Sequence, residues 1–216
     1  MNVILDYIDF WKDRYETIGE YTYQHIVLSL IAILLAIAIT IPLAIYMTKM
    51  KREFVKNIIF NIANVFQTVP TIALFAIMIP FLGVGFKPAV VALFLYALLP
   101  LLRNTYAGME AIDPDVIEAS KGMGYSQMQR IFKVEIPMAM PYIMSGIRTT
   151  SVYIISWTTL AAVVGAGGLG GLVLSGIGFN DKNMIFTGTI LAIVMALILD
   201  GIFGLIEKKN FKKQQQ

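Results

Sequence analysis

The chain has 216 residues, of which 57% are hydrophobic and only 14% charged, well under the roughly 25% charged residues of ordinary soluble domains. With no cysteine and a single histidine, His25, disulfides, thiolate metal sites and a histidine-built zinc site are excluded. This is the composition of a membrane protein, in which the placement of the basic residues says more than the net charge of +3.

The first twenty residues do not read as a cleavable signal, because Asp6, Asp9, Asp13, Glu16 and Glu20 interrupt them. Ile4, Tyr7, Ile8, Trp11, Tyr15 and Ile18 recur at helical spacing. They predict a short amphipathic helix on the membrane surface over residues 1–22, with a frayed polar leader as the alternative. His25 follows and reads as an interfacial histidine. Five apolar segments are then long enough to cross a bilayer, at about 20 residues each. They are His25–Met47, Asn57–Leu82, Pro88–Leu102 with an extension to about Met109, Met138–Val164 and Met184–Ile206. Pro70 interrupts the second; if it splits that segment the count becomes six, with two short pieces.

Lys49, Lys51, Arg52, Lys56, Arg103, Lys121, Arg130, Lys133, Lys208, Lys209, Lys212 and Lys213 lie on one side of these spans. Lys12, Arg14, Lys87 and Lys182 lie on the other. The positive-inside rule puts the larger set in the cytoplasm. Five spans then place the N-terminus outside, the C-terminus inside and a basic cytoplasmic tail at 207–216. The expected fold is all-α: a polytopic membrane protein with about five spans over 23–206 and a polar cytoplasmic segment over 110–137.

That segment carries helix-start and helix-stop chemistry. Asp113 can cap, Pro114 suits the first helical position and Asp115 complements the helix dipole. Gly122 and Gly124 then stop the helix. Ser126 and Gln129 form a Ser-x-x-Gln capping box for a second helix, and Pro137 introduces the fourth span. The result is a helix-turn-helix with a glycine corner. Acidic residues match the basic ones and both ends are tied to the bilayer, so nucleic acid is not the expected partner. A mere solvated connection would not need this chemistry.

The spacing resembles the cytoplasmic loop of permease subunits of type-I ATP-binding-cassette importers. That pattern is Glu-Ala-Ala, three residues, Gly, nine residues, then Ile-x-Leu-Pro. Here Glu118, Ala119 and Ser120 fill the triplet, Gly124 the glycine, and Val134, Glu135, Ile136 and Pro137 the close. Ser, Val and Ile depart from Ala, Ile and Leu with little change in size. "QTVPTIALFAIMIP", "YALLPLLRNTYAG" and "LAAVVGAGGLG" are similar to the branch that imports glycine betaine, choline and carnitine. The resemblance implies a non-catalytic translocation subunit in the cell membrane, with no cofactor. It implies docking of a separate cytoplasmic ATPase on the loop, and substrate delivery by an extracytoplasmic binding protein. Small Ala119 and Ser120 would permit close approach and Glu118 would offer a charged hydrogen bond. Five spans are few for an enclosed path, so a second permease copy or a paralogue is expected to complete it.

Two polar stripes lie within the spans. Asn57, Asn61, Asn64 and Thr68 share one helical face, with Gln67 and Pro70 at its end. Ser145, Thr149, Tyr153 and Ser156 share another, with Trp157 beside them. Such residues either bond neighbouring helices or line a translocation path; for the two stripes together the expectation is a path. Tyr153 and Trp157, one turn apart, could attract a quaternary ammonium. Gly165, Gly167 and Gly170 satisfy G-x-G-x-x-G, but after a membrane helix rather than a strand, so a close-packed outer turn is expected and no nucleotide. Arg148, about 16 Å along the helix from Pro137, and Asp200 are expected to snorkel or pair. The rival reading is a secondary transporter or channel that uses these two charges, and the rival substrate an amino acid.

Overall fold

The computed structural model describes residues 3–214, and among these every regular element is helical. Helix α1 (Val3–Lys49) runs unbroken. At 1.5 Å per residue it is about 70 Å long, more than twice the hydrocarbon core of a bilayer. The surface helix expected over residues 1–22 is therefore not a separate element: from Val3 on it is continuous with span one. No proline or cap interrupts it there, and one side of it meets protein. Phe10, Trp11, Ile18 and Tyr21 pack against Leu169, Leu172 and Met184. The Tyr7 hydroxyl lies 2.9 Å from Thr187 Oγ1.

The second span is broken. Helices α2 (Glu53–Thr68) and α3 (Thr71–Leu82) meet at 105°. Pro70 forces Val69 out of the helical region, to φ −66° and ψ 130°. At about 24 Å and 18 Å, neither piece alone reaches across a ~30 Å core. Five spans are present only if the bent pair counts as one.

Helix α4 (Phe86–Glu110) is span three. It leads through α5 (Pro114–Gly122) and α6 (Gln127–Arg130) into a π-helical turn (Ile131–Glu135) and α7 (Ile136–Thr158). The second loop helix therefore does not end at Pro137. It runs on into span four, because the wider π turn makes room for a ring and a missing N–H that a regular α-helix would not accommodate. A 3₁₀ turn (Thr159–Val164), a glycine turn and the short helix α8 (Leu169–Phe179) follow, then α9 (Lys182–Gln214). The helix of span five thus continues through most of the expected tail. The tail's side chains from Lys208 onward lie outside the described residues.

The core is a stack of α1, α4 and α7. Leu28, Ala32 and Ala36 of α1 meet Ala89, Leu93 and Tyr96 of α4, and Ile143, Ile147 and Ile154 of α7 complete the cluster. Without a hydrophobic force between helices in lipid, small residues set the distance of approach. A Cβ on Gly146 would come within 2.7 Å of Asn104 Cβ, so only glycine permits the α4–α7 crossing seen. The most apolar stretch of α9 has no fully buried residue, although Leu191, Ala192 and Met195 pack against the cluster of Ile18, Leu169 and Leu172.

Candidate functional site

The polar loop between spans three and four is assembled by its predicted local chemistry. The Asp113 carboxylate accepts from the Asp115 amide at 2.9 Å. The Ser126 hydroxyl accepts from the Gln129 amide at 3.3 Å, and the Gln129 side chain accepts from the Ser126 amide at 2.9 Å. At the corner the Gly124 amide donates to Lys121 O at 2.9 Å and the Tyr125 amide to Ser120 O at 3.2 Å. These are the two bonds of a Schellman turn, with Gly124 at φ +82°. Gly122, in contrast, sits inside the helix, so the corner is made at Gly124 alone.

The signature residues do not all face the same way. Glu118 and Ala119 are exposed, Val134 and Ile136 half-buried and Pro137 exposed. Ser120 is buried, its hydroxyl donating to Ile117 O at 2.7 Å. The expectation that Ser120 offers a small surface for close approach is corrected: its size matters for packing within the loop. The outer surface holds three apolar side chains that sequence reasoning passed over, Met123, Met128 and Phe132. The signal was available, since Met128 and Phe132 are one turn apart on a polar helix. Also missed was Glu135, which is fully buried and ion-paired to Lys49 and to Arg130 Nε, the latter at 2.8 Å. An acid between Val134 and Ile136 hinted at burial, but nothing local pointed to Lys49.

The polar stripes divide. On α2, Asn57, Asn61 and Thr68 are exposed. Asn64 Oδ1 accepts from Arg103 Nη2 at 2.9 Å and Gln67 Nε2 donates to Tyr96 O at 2.8 Å. Asn64 and Gln67 thus tie α2 to α4. Thr68 bonds within its own helix. On α7, Ser145, Thr149 and Tyr153 line a groove of about 330 Å³, shared with Arg148, Val152, Asp200 and Glu207. Ser156 opens instead into a neighbouring groove with Thr159, Val173 and Thr189. Tyr96 joins the two stripes. Its hydroxyl donates to Val69 O at 2.6 Å, and its ring centroid lies 4.8 Å from that of Trp157, which lies 5.5 Å from that of Tyr153.

Both isolated charges are paired. Arg148 Nε and Nη2 grip the two oxygens of Asp200 at 2.6 and 2.8 Å, and Nη1 donates to Glu207 at 3.0 Å. This fork clamps α7 to α9, with Gly204 leaving room for the guanidinium. At the other end of the bundle His25 is fully buried, correcting its interfacial reading. Its Nδ1 accepts from the Leu169 amide at 3.3 Å, so Nε2 carries the proton and donates to Ile155 O at 3.1 Å. The Gln24 side chain accepts from the Gly168 amide at 3.0 Å. The glycine turn, with Gly165, Gly167 and Gly168 at positive φ, is thus the close-packed turn expected, held against α1. Among the described residues no group of acids and histidines could hold a metal.

Residues 40–212 match the family described as "Binding-protein-dependent transport system inner membrane component". The chain belongs to that family. It is 41% identical over 200 residues to the carnitine transport permease protein OpuCB of Listeria monocytogenes, spanning 93% of this chain and 91% of the relative. It is 40% identical over 188 residues to the choline transport system permease protein OpuBB of Bacillus subtilis, spanning 87% and 86%. Among solved structures, an inward-facing form of the MetNI methionine ABC transporter superposes with a TM-score of 0.80, covering 92% of this chain and 98% of that one. At 23% identity this likeness establishes the fold alone. The protein is therefore a multi-pass translocation component of the cell membrane. The family match sets aside the secondary-transporter reading; Arg148 and Asp200 pair with each other between α7 and α9.

Proposed function

We propose that this chain is the permease subunit of an ATP-driven importer for a quaternary-amine osmoprotectant such as glycine betaine, carnitine or choline. ATP is hydrolysed on separate subunits that dock on Glu118–Pro137, and a binding protein delivers substrate from outside. The observation that carries the docking reading is the loop's construction. A capped helix closed by a Schellman corner presents Glu118, Ala119 and Met123 outward, and the helix after the corner runs on through the π turn into span four. An element of that stiffness passes on a movement that a floppy connection would absorb. The relatives named for carnitine and choline support the substrate class. The aromatic set Tyr96, Trp157 and Tyr153 supports it chemically, since ring faces attract a quaternary ammonium. The grooves on α7 are open on the isolated chain, and the unburied stretch of α9 offers further surface. A second copy or a paralogue closes the path. The N-terminus lies outside and the basic loops inside.

The test is reconstitution of the chain with its ATPase and binding protein in proteoliposomes. ATP-dependent uptake of labelled carnitine, choline or glycine betaine is expected, uncompeted by amino acids. Uptake without ATP, or competition by amino acids but not by quaternary amines, refutes the proposal.

A further inference from the structure

The buried carboxylate of Glu135 has no part in the loop's local capping, and it divides its two oxygens between different elements. Oε1 accepts from Arg130, five residues earlier, across the π turn. Oε2 accepts from Lys49, the last residue of α1 and 86 positions away in sequence. Glu135 is itself the last residue of the π turn where the loop becomes span four. One carboxylate therefore joins the cytoplasmic end of span one to the root of the loop. No exposed surface is involved: the Glu135 side chain is 0% exposed and that of Lys49 is 22% exposed.

We propose that Glu135 is a positioning residue through which movement of the loop is passed to span one, by way of Lys49. The inference rests on the docking of an ATPase at this loop. The chain connects the loop directly only to spans three and four; besides the apolar packing of α1 on α4 and α7, the Lys49–Glu135 pair ties the end of span one to the root of the loop itself. A static contact between two helices is served at least as well by apolar side chains, because desolvating two charges offsets most of their attraction. An ion pair differs in being directional: the carboxylate holds Lys49 at one place relative to the π turn and carries it when that turn is displaced. Arg130 keeps the carboxylate oriented while it does so.

The test compares Lys49→Met with Lys49→Arg in the reconstituted complex with ATPase and binding protein. Lys49→Met leaves Glu135 paired to Arg130, so insertion is retained. Three quantities are read: ATPase co-purified, ATP hydrolysed and substrate taken up per ATP. Lys49→Met is expected to co-purify the ATPase at the native yield and to hydrolyse ATP. Its uptake per ATP falls roughly tenfold or more, the scale set by losing one charge-assisted hydrogen bond. Lys49→Arg restores the ratio. An unchanged ratio in Lys49→Met overturns the inference, as does a reduced yield with an unchanged ratio, which marks a purely structural anchor. An Arg variant as defective as Met overturns it too, since charge pairing is then not what matters. If the native chain itself shows no ATP-dependent uptake, the importer reading fails first, and the two failures are distinguished.

Discussion

The corner at Gly124 sets the direction of the second loop helix, and its conformation allows a graded test. Gly124 sits at φ +82°, and a Cβ built there meets nothing within 4 Å. Substitution therefore costs backbone conformation and not packing. A left-handed residue with a Cβ costs about 1–2 kcal/mol. Asn, whose side chain tolerates this region, sits below that range, and a β-branched Val above it. If the corner flips to avoid the strain, the amides of Gly124 and Tyr125 lose their Lys121 and Ser120 acceptors and the second helix swings away. The expected order of binding-protein-stimulated ATP hydrolysis is Gly, then Asn, Ala and Val, with Val losing most of it while still inserting in the membrane. Gly122 provides the control. It is helical and also has open space around it, so Gly122→Ala should be neutral or gain a few tenths to about 1 kcal/mol of helix stability. The assay is hydrolysis and ATPase co-purification in proteoliposomes, with circular dichroism to confirm folding. Native stimulation in Gly124→Val, or stimulation indistinguishable from that of Gly124→Asn, refutes the corner's role.

Three further outcomes are expected. Ser156→Trp fills an exposed groove position whose hydroxyl donates within its own helix, to Val152 O at 3.1 Å; it should slow uptake without loss of assembly, and normal uptake would remove that groove from the path. His25→Phe orphans the Leu169 amide and the Ile155 carbonyl, which should destabilise the α1–α7–α8 junction by about 1–3 kcal/mol, read as a lower unfolding temperature in detergent; an unchanged value refutes the buried hydrogen-bond relay. In this cysteine-free chain, Lys182→Cys should react with an impermeant thiol reagent from outside and Lys51→Cys should not, and reversed labelling overturns the orientation read from the basic residues.

Features that depend on near neighbours were legible in the order of residues. Apolar runs of sufficient length mark the spans, because an isolated backbone in lipid must satisfy its own hydrogen bonds as helix. The loop was legible for the same reason: Asp113 with Asp115, and Ser126 with Gln129, act over two or three residues, and Gly124 supplies its conformation alone. The meeting points of the helices are set by packing of the whole chain. Lys49 and Glu135, Arg148 and Asp200, and His25 and Leu169 are far apart in sequence, and no local pattern says which charge or ring will face which. Helix α8 escaped notice because its glycine-rich sequence is a poor helix former by itself and is held by packing on Ile18 and Met184. The π turn before α7 belongs between the two cases: Pro137 announced a disturbance, but whether it would end the helix or widen it was settled by the buried surroundings of Ile131 and Glu135.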